Sequence, residues 1–428
     1  MKVKLGKICD ISSAKRVFEK EYVAKGIPFI RGLEISNGSI VNENALFECY
    51  ISKEHYEELK MLYGVPQKGD ILITAVGTIG NLCYIDKSRE FYFKDGNIIW
   101  LKNIQKDIYP QYLYYFMKSP FFRDQLEYAM IGAVQKALTM IMLEKIEIEL
   151  PSYEMQVSIA SILACIDLKI KNNTQIKIEL ESMAKTIYDY WFLQFEFPND
   201  DGKPYKSSGG KMVWHEELKR EIPEGWKVDF LGRLFTSKRG ISYNSKNIEG
   251  GGVPMINLAS FNVDGSYKEE GIKVYSGEYS EEKIVKPFEL LMCNTQQTAI
   301  DYKKDIIGKA FLVPDIFEGD IVTSHHVTTI QVEKDNMKYF LHRLFNTDYF
   351  HKYAAGFTNG TNILGLIFSG IEKYRLEIPD DAVLEKFADL MLDIEKKKSK
   401  TIKENQELIS LRDFLLPLLM NGQVGFKA

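Results

Sequence analysis

Short apolar runs separated by turn residues dominate the first 151 residues of the chain. Residues 70–74 and 97–101 are rich in β-branched and other apolar side chains, as buried strands are. The stretch around residues 111–130 instead places its apolar side chains at helical spacing. The pattern predicts an α+β domain over residues 1–151.

From residue 154 the apolar positions change to alternating steps of three and four residues. Such steps form the heptad seam of a long helix that pairs with another helix. The predicted seam consists of Ile159, Ile162, Ile166, Lys169, Asn173, Ile176, Leu180, Met183, Ile187 and Tyr190. The pattern therefore predicts a long helix over residues 152–196.

The second half of the chain repeats the ground plan of the first. Residues 148–151, Ile-Glu-Leu-Pro, return as Leu-Glu-Ile-Pro at 376–379, an offset of 228 residues (379 − 151). Nearer the start, Leu5-Gly6 returns as Leu231-Gly232 at an offset of 226 (231 − 5). Adding 228 to the first seam gives Phe387, Leu390, Ile394, Lys397, Thr401, Glu404, Leu408, Leu411, Leu415 and Leu418. The repeat predicts a second α+β domain over 222–379 and a second long helix over 380–421.

The repeat also predicts an arrangement. Two similar α/β domains in pseudo-twofold arrangement would be separated by two long antiparallel coiled-coil helices. The polar seam positions Lys169, Asn173, Lys397 and Thr401 would then meet near the middle, where polar residues fix register. Residues 197–221 are rich in turn-forming residues, which predicts an exposed linker. The alternative is two independent helices, each lying on its own domain.

Composition narrows the class of protein. The 428 residues are 45% hydrophobic, enough for two ordinary cores, and the net charge of −4 argues against indiscriminate binding of polyanions. No apolar run approaches the roughly 20 residues that cross a bilayer, so we expect a cytoplasmic protein. The five cysteines are scattered singly, without the paired spacing of a zinc site or a disulfide framework.

Several motifs, in this order, resemble the specificity subunit of a type I restriction–modification system. The first half has Leu-Gly-Lys-Ile at 5–8, Gly-Asp-Ile-Leu-Ile-Thr at 69–74 and Gly-Thr-Ile-Gly at 77–80. A helix opening with Glu-Met-Gln follows at 154–156, and Ile-Pro-Glu-Gly-Trp at 222–226 introduces the second copy. The second copy departs from the family pattern at 380–384 and where the Gly-Thr-Ile-Gly turn is expected. Loop contacts in that domain are therefore harder to place.

The resemblance implies a DNA-recognition chain that is not itself an enzyme. It implies two target-recognition domains that each read one half of a split DNA sequence, with paired spacer helices setting the distance. It also implies two methyltransferase subunits as partners, and restriction/translocase subunits in the full complex. No cofactor is expected on this chain; S-adenosylmethionine and ATP with Mg²⁺ would serve the partner subunits.

A DNA reader needs donors for phosphates and side chains that meet base edges, such as Arg or Lys for guanine and Asn or Gln for adenine. Such residues sit in loops that recur in both halves. In the first half the candidates are Lys15, Arg16, Arg31, Thr74, Thr78, Gln135 and Lys136. In the second half they are Lys238, Arg239, Asn257, Asn294, Gln296, Thr361 and Asn362. Arg31 and Asn257 correspond at the offset of 226, and Lys238-Arg239 occupies the stretch comparable to Lys15-Arg16.

Catalytic chemistry finds little support in the chain. His325-His326 lacks the further ligands of a metal site, Gly250–Gly252 lacks the Gly-Lys-Ser/Thr ending of a nucleotide loop, and no Pro-Pro motif of an amino-methyltransferase occurs. We expect no catalytic residues and no metal site. Two other functions stay open: a two-domain scaffold or adhesin without a DNA role, and a nuclease or methylase chain.

Overall fold

The structure, a computed structural model, describes residues 2–36, 38, 40, 47–86, 90–131, 137–297 and 304–424. It divides into two compact units. The first contains residues 1–170 and 407–428, and the second contains residues 171–406. Two long helices contribute to both units. Within the described part of the chain, no helix is long and apolar enough to cross a membrane.

Among its described residues, the first unit contains ten strands together with several helices. Its strands are β1 (Lys2–Lys4), β2 (Asp10–Ser12), β3 (Tyr22–Val23), β4 (Ile27–Ile30), β5 (Tyr50–Ile51), β6 (Ile71–Thr74), β7 (Leu82–Tyr84), β8 (Tyr92–Phe93), β9 (Ile98–Lys102) and β10 (Glu147–Glu149). Its helices are α1 (Gly32–Ser36), α2 (Lys53–Tyr63), α3 (Pro110–Lys118), α4 (Pro120–Met130) and α5 (Met140–Lys145), followed by the start of α6 (Tyr153–Tyr188). The single helix expected around 111–130 is two helices, because Ser119 ends one and caps the next, ahead of Pro120.

The second unit contains fifteen described strands. They are β11 (Met212–His215), β12 (Arg220–Pro223), β13 (Lys227–Phe230), β14 (Phe235–Arg239), β15 (Val253–Ile256), β16 (Lys273–Tyr275), β17 (Ile284–Val285), β18 (Leu290–Cys293), β19 (Thr295–Gln297), β20 (Ala310–Leu312), β21 (Ile321–Thr323), β22 (Val327–Val332), β23 (Thr358–Asn359), β24 (Ile363–Leu366) and β25 (Arg375–Ile378). Its helices are α7 (Met337–Phe345), α8 (Asp348–Ala355), α9 (Phe368–Ile371) and most of α10 (Asp381–Met420).

The main sheets of the two α+β domains share one strand order, which confirms the predicted fold class and the repeat. The main sheet has the order β2-β9-β6-β7 in the first domain and β14-β22-β18-β20 in the second. Each domain has a second small sheet whose central strand, β4 or β15, pairs in parallel with β8 or β21. In each domain the first strand also pairs with the last, β1 with β10 and β13 with β25. The same path of the chain is therefore built twice.

An apolar core lies between the main sheet and the helices of each unit. In the first unit Ile71 and Leu101 from the sheet belong to one buried cluster with Leu163 of α6 and Leu416 of α10. In the second unit Phe192 lies at the centre of an aromatic cluster and contacts the rings of Phe340 and Phe387 at centroid distances of 4.9 and 4.8 Å. Both long helices thus contribute side chains to the domain cores.

The segment 197–221, expected as an exposed linker, is folded. Its β11 and β12 form an antiparallel hairpin, and the Phe197 ring stacks between Tyr205 and Trp226 at centroid distances of 4.6 and 5.3 Å. Turn-forming composition alone did not reveal this, because Trp226, which contacts the Phe197 ring, lies beyond the segment in the sequence. The segment packs against the second unit's core.

The two long helices pair antiparallel within the second unit. Asn173 Nδ2 donates to Glu404 Oε2 at 2.9 Å, and further along α6, Glu181 Oε2 accepts from Lys398 Nζ at 2.7 Å. Residue numbers therefore rise along α6 while those of its partners fall along α10. In the first unit, Arg412 Nη1 donates to Asp167 Oδ1 at 3.0 Å.

One of the two series of predicted seam positions is wrong by one residue. Ile159, Ile166, Asn173, Phe387 and Ile394 are buried as expected, but Ile162, Lys169, Ile176, Met183, Leu390, Lys397 and Leu411 are exposed. From each correctly predicted position, the next inward position lies four residues further on and not three. The inward positions therefore include Leu163, Ala184, Met391 and Lys398. Apolar residues occur at both sets of positions, so apolarity did not distinguish the inward face. The polar centre accordingly contains Asn173 but neither Lys169 nor Lys397.

A buried ion cluster joins the helix pair to the second domain. Arg343 of α7 is 4% exposed; its guanidinium contacts Glu181 of α6 and donates to Glu395 of α10 at 3.2 Å. Lys398 Nζ contacts both carboxylates, at 2.7 and 2.9 Å. Burial acts to raise the pKa of Glu181, but the charges of Arg343 and Lys398 hold that pKa well below its usual value. Three helices are thus tied through two cations and two anions.

Removal of one partner leaves the remaining charges of this cluster buried and unpaired. We expect Arg343→Ala to lower the free energy of unfolding of the second unit by about 3–5 kcal/mol. The measurement is urea unfolding followed by tryptophan fluorescence, since Trp191, Trp214 and Trp226 lie in this unit. Arg233→Ala is the matched control, because Arg233 is exposed and pairs only at the surface; its loss should stay under about 1 kcal/mol. Equal small losses for both variants would contradict a stabilising role of the cluster.

His342, beside Arg343, should make the second unit sensitive to acid. Burial and then the charge of Arg343 lower the pKa of His342 well below its usual value. The unfolded state, with an ordinary pKa of about 6.5, therefore binds more protons below that pH, so stability is complete above it and falls as the pH drops. We expect His342→Gln to remove up to about 1.4 kcal/mol per pH unit of this decline between about pH 6.5 and pH 5. Unfolding curves across that range test this; His215→Gln should leave the decline unchanged.

Candidate nucleic-acid interface

In the first unit, the loops after β4 and β6 meet and present a polar surface. Ser36 Oγ lies 2.6 Å from Thr78 Oγ1, and Asn81 Nδ2 donates to Ser36 Oγ at 2.8 Å. Ser36 and Thr78 are exposed and Asn81 is half-buried. Hydroxyl and amide groups held together in this way can donate to phosphates or to base edges. Thr78 was among the predicted contacts, whereas Ser36 and Asn81 were not.

Thr74 supports this surface from below. Its side chain is fully buried; the hydroxyl donates to the carbonyl of Thr78 and accepts from the backbone N–H of Asn81 at 3.0 Å. Gly77 and Gly80 have φ of +78° and +91°, a backbone conformation that side chains with a Cβ rarely adopt. The prediction of a DNA contact at Thr74 is corrected, because the side chain shapes the turn instead.

The remaining described candidates of the first unit are cationic. Lys15 and Arg16 are exposed in the loop after β2, where the Arg16 guanidinium contacts Asp95 at 2.9 Å. Arg31 donates from Nη2 to Glu34 at 2.7 Å and to Glu48 at 2.9 Å. These hydrogen bonds raise the pKa of Arg31 further. To bind a phosphate, Arg31 would therefore have to give up one of its carboxylate partners. At Arg16 a phosphate could replace Asp95 at little cost, because this ion pair lies at the surface.

Gln135 and Lys136 lie outside the described residues. Their counterparts were expected near Thr361 and Asn362, which are exposed in the turn between β23 and β24. Because Leu364 of β24 pairs with Gln296 of β19, this turn belongs to the same small sheet as Gln296. Gln296 Oε1 accepts from the backbone N–H of Ile306 at 3.3 Å. These three residues stay predicted contacts.

Asn257 occupies the position of Arg31, as the offset of 226 predicts, but it has a different role. Each follows the central strand of the second small sheet, and each has its backbone N–H bonded by the side chain three residues later, Glu34 or Ser260. Asn257 is 3% exposed, its Nδ2 donates to Gly271 O at 2.6 Å and its Oδ1 accepts from Ala259 N–H at 2.9 Å. The predicted DNA contact is corrected: Asn257 holds a turn.

Asn294 is likewise structural. It is 5% exposed, and its Nδ2 donates to His325 O at 3.1 Å and to Thr328 Oγ1 at 2.7 Å. The bond to His325 fixes the turn that precedes β22. Asn294 therefore positions its neighbours instead of meeting DNA as predicted.

Lys238 and Arg239 end strand β14, and their correspondence with Lys15-Arg16 is wrong. Lys238 pairs with Thr329 and Ser12 pairs with Trp100, each the third residue of its partner strand, so Ser12 is the true counterpart of Lys238. Lys238 is half-buried. Arg239 is exposed, and its Nε donates to His325 O at 3.0 Å. Arg239 therefore lies on the surface of the turn that carries His325 and His326.

A cationic and aromatic cluster at this turn was missed by the sequence analysis. The rings of His325 and His326 lie 3.8 Å apart, and Tyr243 lies 5.8 Å from His325 between centroids. Lys273 Nζ donates to Tyr243 Oη at 3.3 Å, and His326 Nδ1 lies 2.8 Å from Thr295 Oγ1. The two histidines were weighed only as metal ligands. No group of described residues could hold a metal ion, and the cluster's chemistry is that of a basic surface.

Comparison with known proteins matches this organisation. A model of the type I restriction modification DNA specificity domain matches residues 1–182 and 223–409. The MjaIX type I restriction enzyme specificity subunit of Methanocaldococcus jannaschii is 25% identical over 418 residues, which cover 95% of this chain and 88% of that protein. The HindI type I restriction enzyme specificity subunit of Haemophilus influenzae is 21% identical, with 91% of this chain and 94% of that protein covered.

The fold is also found in a solved structure. The crystal structure of the type I restriction–modification S subunit from M. genitalium has a TM-score of 0.57 and covers 98% of this chain and 95% of that one, at 13% identity. This likeness concerns the fold alone. The family match covers both domains and most of both long helices, and it confirms the resemblance seen in the motifs. The chain belongs to the family of type I restriction–modification DNA specificity subunits, which are non-catalytic.

Proposed function

We propose that this chain selects the DNA target of a type I restriction–modification complex by reading a sequence in two parts. Each α+β domain reads one half-site of double-stranded DNA, and the helices α6 and α10 set the number of unread base pairs between them. The observation that carries the proposal is that two domains with the same strand order in their main sheets present different polar groups in their surface loops. One presents Ser36, Thr78 and Asn81, the other Arg239, His325 and His326.

The difference in loop chemistry supports different half-sites. Hydroxyl and amide groups can both donate and accept, whereas arginine only donates and matches acceptors such as those of guanine or phosphate. A shared scaffold holds each set of loops on a four-stranded sheet. The two domains are thus suited to read two unlike short sequences.

The helices support the role of a spacer. α6 has 36 residues, which corresponds to a length of about 54 Å at ~1.5 Å per residue. Reachable faces of the major groove recur about every 34–36 Å. A paired helix with a buried polar centre keeps its register and hence its length, so the gap in the target should be constant.

Exposed apolar residues on the long helices support the proposed partners. In the first unit Ile162, Leu168, Leu411 and Phe414 are exposed on the long helices, and Phe414 is 65% exposed. Exposed apolar residues of this size are typical of protein interfaces. We place two methyltransferase subunits on the helices, with restriction/translocase subunits in the full complex.

The chemistry would then reside in these partners. S-adenosylmethionine would serve the methyltransferase subunits, and ATP with Mg²⁺ would serve the restriction subunits, making the complex a type I site-specific deoxyribonuclease and adenine methyltransferase. The complex would act in the cytoplasm, where DNA is found and where free thiols such as the five in this chain persist.

The proposed two-part reading of DNA can be tested by mapping the sequence that the complex methylates. The chain is expressed with its cognate modification subunit in a host without DNA methylation, and modified bases are mapped by single-molecule sequencing. We expect one new motif of two short, unlike sequences around a fixed gap, absent from cells without this chain. If no motif appears while the same modification subunit is active beside another specificity chain, the scaffold function would be favoured.

The second prediction concerns the gap. Seven residues are inserted in α6 between Thr174 and Gln175, together with seven in α10 between Lys403 and Glu404, so that the contacts of Asn173 and of Glu181 are both kept. A heptad adds about 10.5 Å of helix, or roughly three base pairs at ~3.4 Å each. We expect the same two half-sites with a longer gap, mapped by the same sequencing.

The control for this experiment is the same insertion in α6 alone. It shifts one helix against the other, separates Asn173 from Glu404 and should abolish site-specific methylation. An unchanged gap after the paired insertion would refute the spacer role of the helices.

A further inference from the structure

The turn before β22 carries a pair of imidazole rings among positively charged side chains. The His325 and His326 rings lie 3.8 Å apart. Arg239 at the end of β14 donates to the carbonyl of His325, and Lys283 Nζ donates to the carbonyl of Arg239 at 2.8 Å. Lys273 on β16 donates to the hydroxyl of Tyr243, whose ring lies 5.8 Å from that of His325 between centroids. Three cations from three separate segments therefore lie around one half-buried turn.

The turn is held rigidly, so the rings are positioned before any ligand arrives. The backbone N–H of His325 donates to Ile241 O at 2.7 Å, and Asn294 N–H donates to His326 O at 3.0 Å. Both rings are half-buried. Nδ1 of His325 has no hydrogen-bond partner among the described residues, while Nδ1 of His326 lies beside Thr295. Each neutral imidazole has one ring nitrogen that can accept a proton.

The charges around the pair favour neutral rings in the free protein. Burial and Arg239 lower the pKa of His325, and burial, His325, Arg239 and Lys273 lower that of His326. The carboxylates of Glu282 and Glu289 line the cleft of Arg239 and Lys283 rather than the imidazole pair. An anion placed on this turn would offset the charges of Arg239 and Lys273, which oppose protonation alongside burial, because an adjacent opposite charge favours the charged form.

We propose that Arg239, Lys273, His325 and His326 form a binding site for a backbone phosphate of the second half-site, and that the histidine pair takes up one proton from solvent when DNA binds. The pair holds one proton and not two, because two imidazolium rings at this separation repel each other. The inference rests on the proposed reading of DNA by the second domain. It adds that the affinity for one half of the target depends on pH.

The described residues of the first domain hold no equivalent of this site. Asn97 O accepts from Ala75 N–H as His326 O accepts from Asn294 N–H, so Gly96 and Asn97 occupy the positions of the two histidines. Neither residue titrates. The pH dependence should therefore belong to the second half-site alone.

The test measures binding of the chain, in complex with its modification subunit, to a duplex bearing both half-sites from pH 6 to pH 8.5 at constant ionic strength. One proton allows at most about a tenfold change in affinity per pH unit. We expect binding to be roughly three- to tenfold tighter at pH 6 than at pH 8.5. The double variant His325→Gln, His326→Gln should show little change in affinity between pH 8.5 and pH 6, whatever its affinity at pH 8.5.

Two controls separate this site from general effects of acid. His215→Gln, a histidine of the same unit outside the cluster, should keep the full pH dependence. A duplex with the second half-site scrambled should lose it. Retention of the full dependence in the double variant would overturn the proposal.

A second measurement does not depend on a variant. Calorimetric titration of the unaltered complex with the duplex at pH 7, in two buffers of different ionisation enthalpy, gives the number of protons taken up. A net uptake that falls when the second half-site is scrambled supports the proposal, and no uptake overturns it. Selective binding of the intact duplex at pH 8.5 tests the proposed function separately, since the rings are neutral there.

Discussion

The second unit depends on a group of charges buried where three helices meet. Arg343, Glu395 and Lys398 have little access to water, so these charges are stabilised mainly by one another and by Glu181, whose side chain is 33% exposed. Attraction of this kind repays the loss of hydration only when every partner is in place. The cluster therefore contributes little net stability, but it restricts how the three helices can pack. α6, α7 and α10 can pack in one alignment, because any other alignment would leave an ion unpaired in the interior.

A fixed packing of the helices matters because the two domains keep the same main sheet while the residues of their loops differ. The main sheets of the two domains have the same strand order. On that frame, Arg31 with Glu34 is exchanged for Asn257 with Ser260, and Gly96-Asn97 for His325-His326. The first exchange alters mostly buried groups that hold a turn, and the second alters half-buried or exposed groups near the surface. The same frame therefore tolerates changes both in the groups that hold its turns and in the groups that its turns present.

Much of the fold could be predicted from the sequence, because the internal repeat made clear an architecture that the apolar periodicity alone left ambiguous. Strand runs such as 71–74 are short and ambiguous, but a second copy at a fixed offset made the architecture clear. The helix pair was predicted, yet one of its two seam series was off by one residue. Leu163 and Ile162 are equally apolar, and only packing against the domain cores selects Leu163.

The candidate site was harder to predict for a related reason. Thr74, Asn257 and Asn294 have the side chains of DNA contacts, but the same hydrogen-bonding groups also satisfy the backbone of tight turns. Sequence alone does not say which use prevails, since that depends on whether the side chain points inward. The histidine pair was overlooked because its importance comes from Arg239 and Lys273, which are distant in sequence and meet it only in the folded unit.

The pairing of the first strand of each domain with its last has an evolutionary consequence. Lys2 faces Glu149 and Lys227 faces Ile378, so the chain enters and leaves each domain at adjacent strands, about 4.8 Å apart. A domain with neighbouring ends can be removed as a cassette and replaced by another of the same frame without altering the helices it joins. Recombination at these two points would give a new pairing of half-sites in a single genetic event, with the assembly surfaces inherited unchanged.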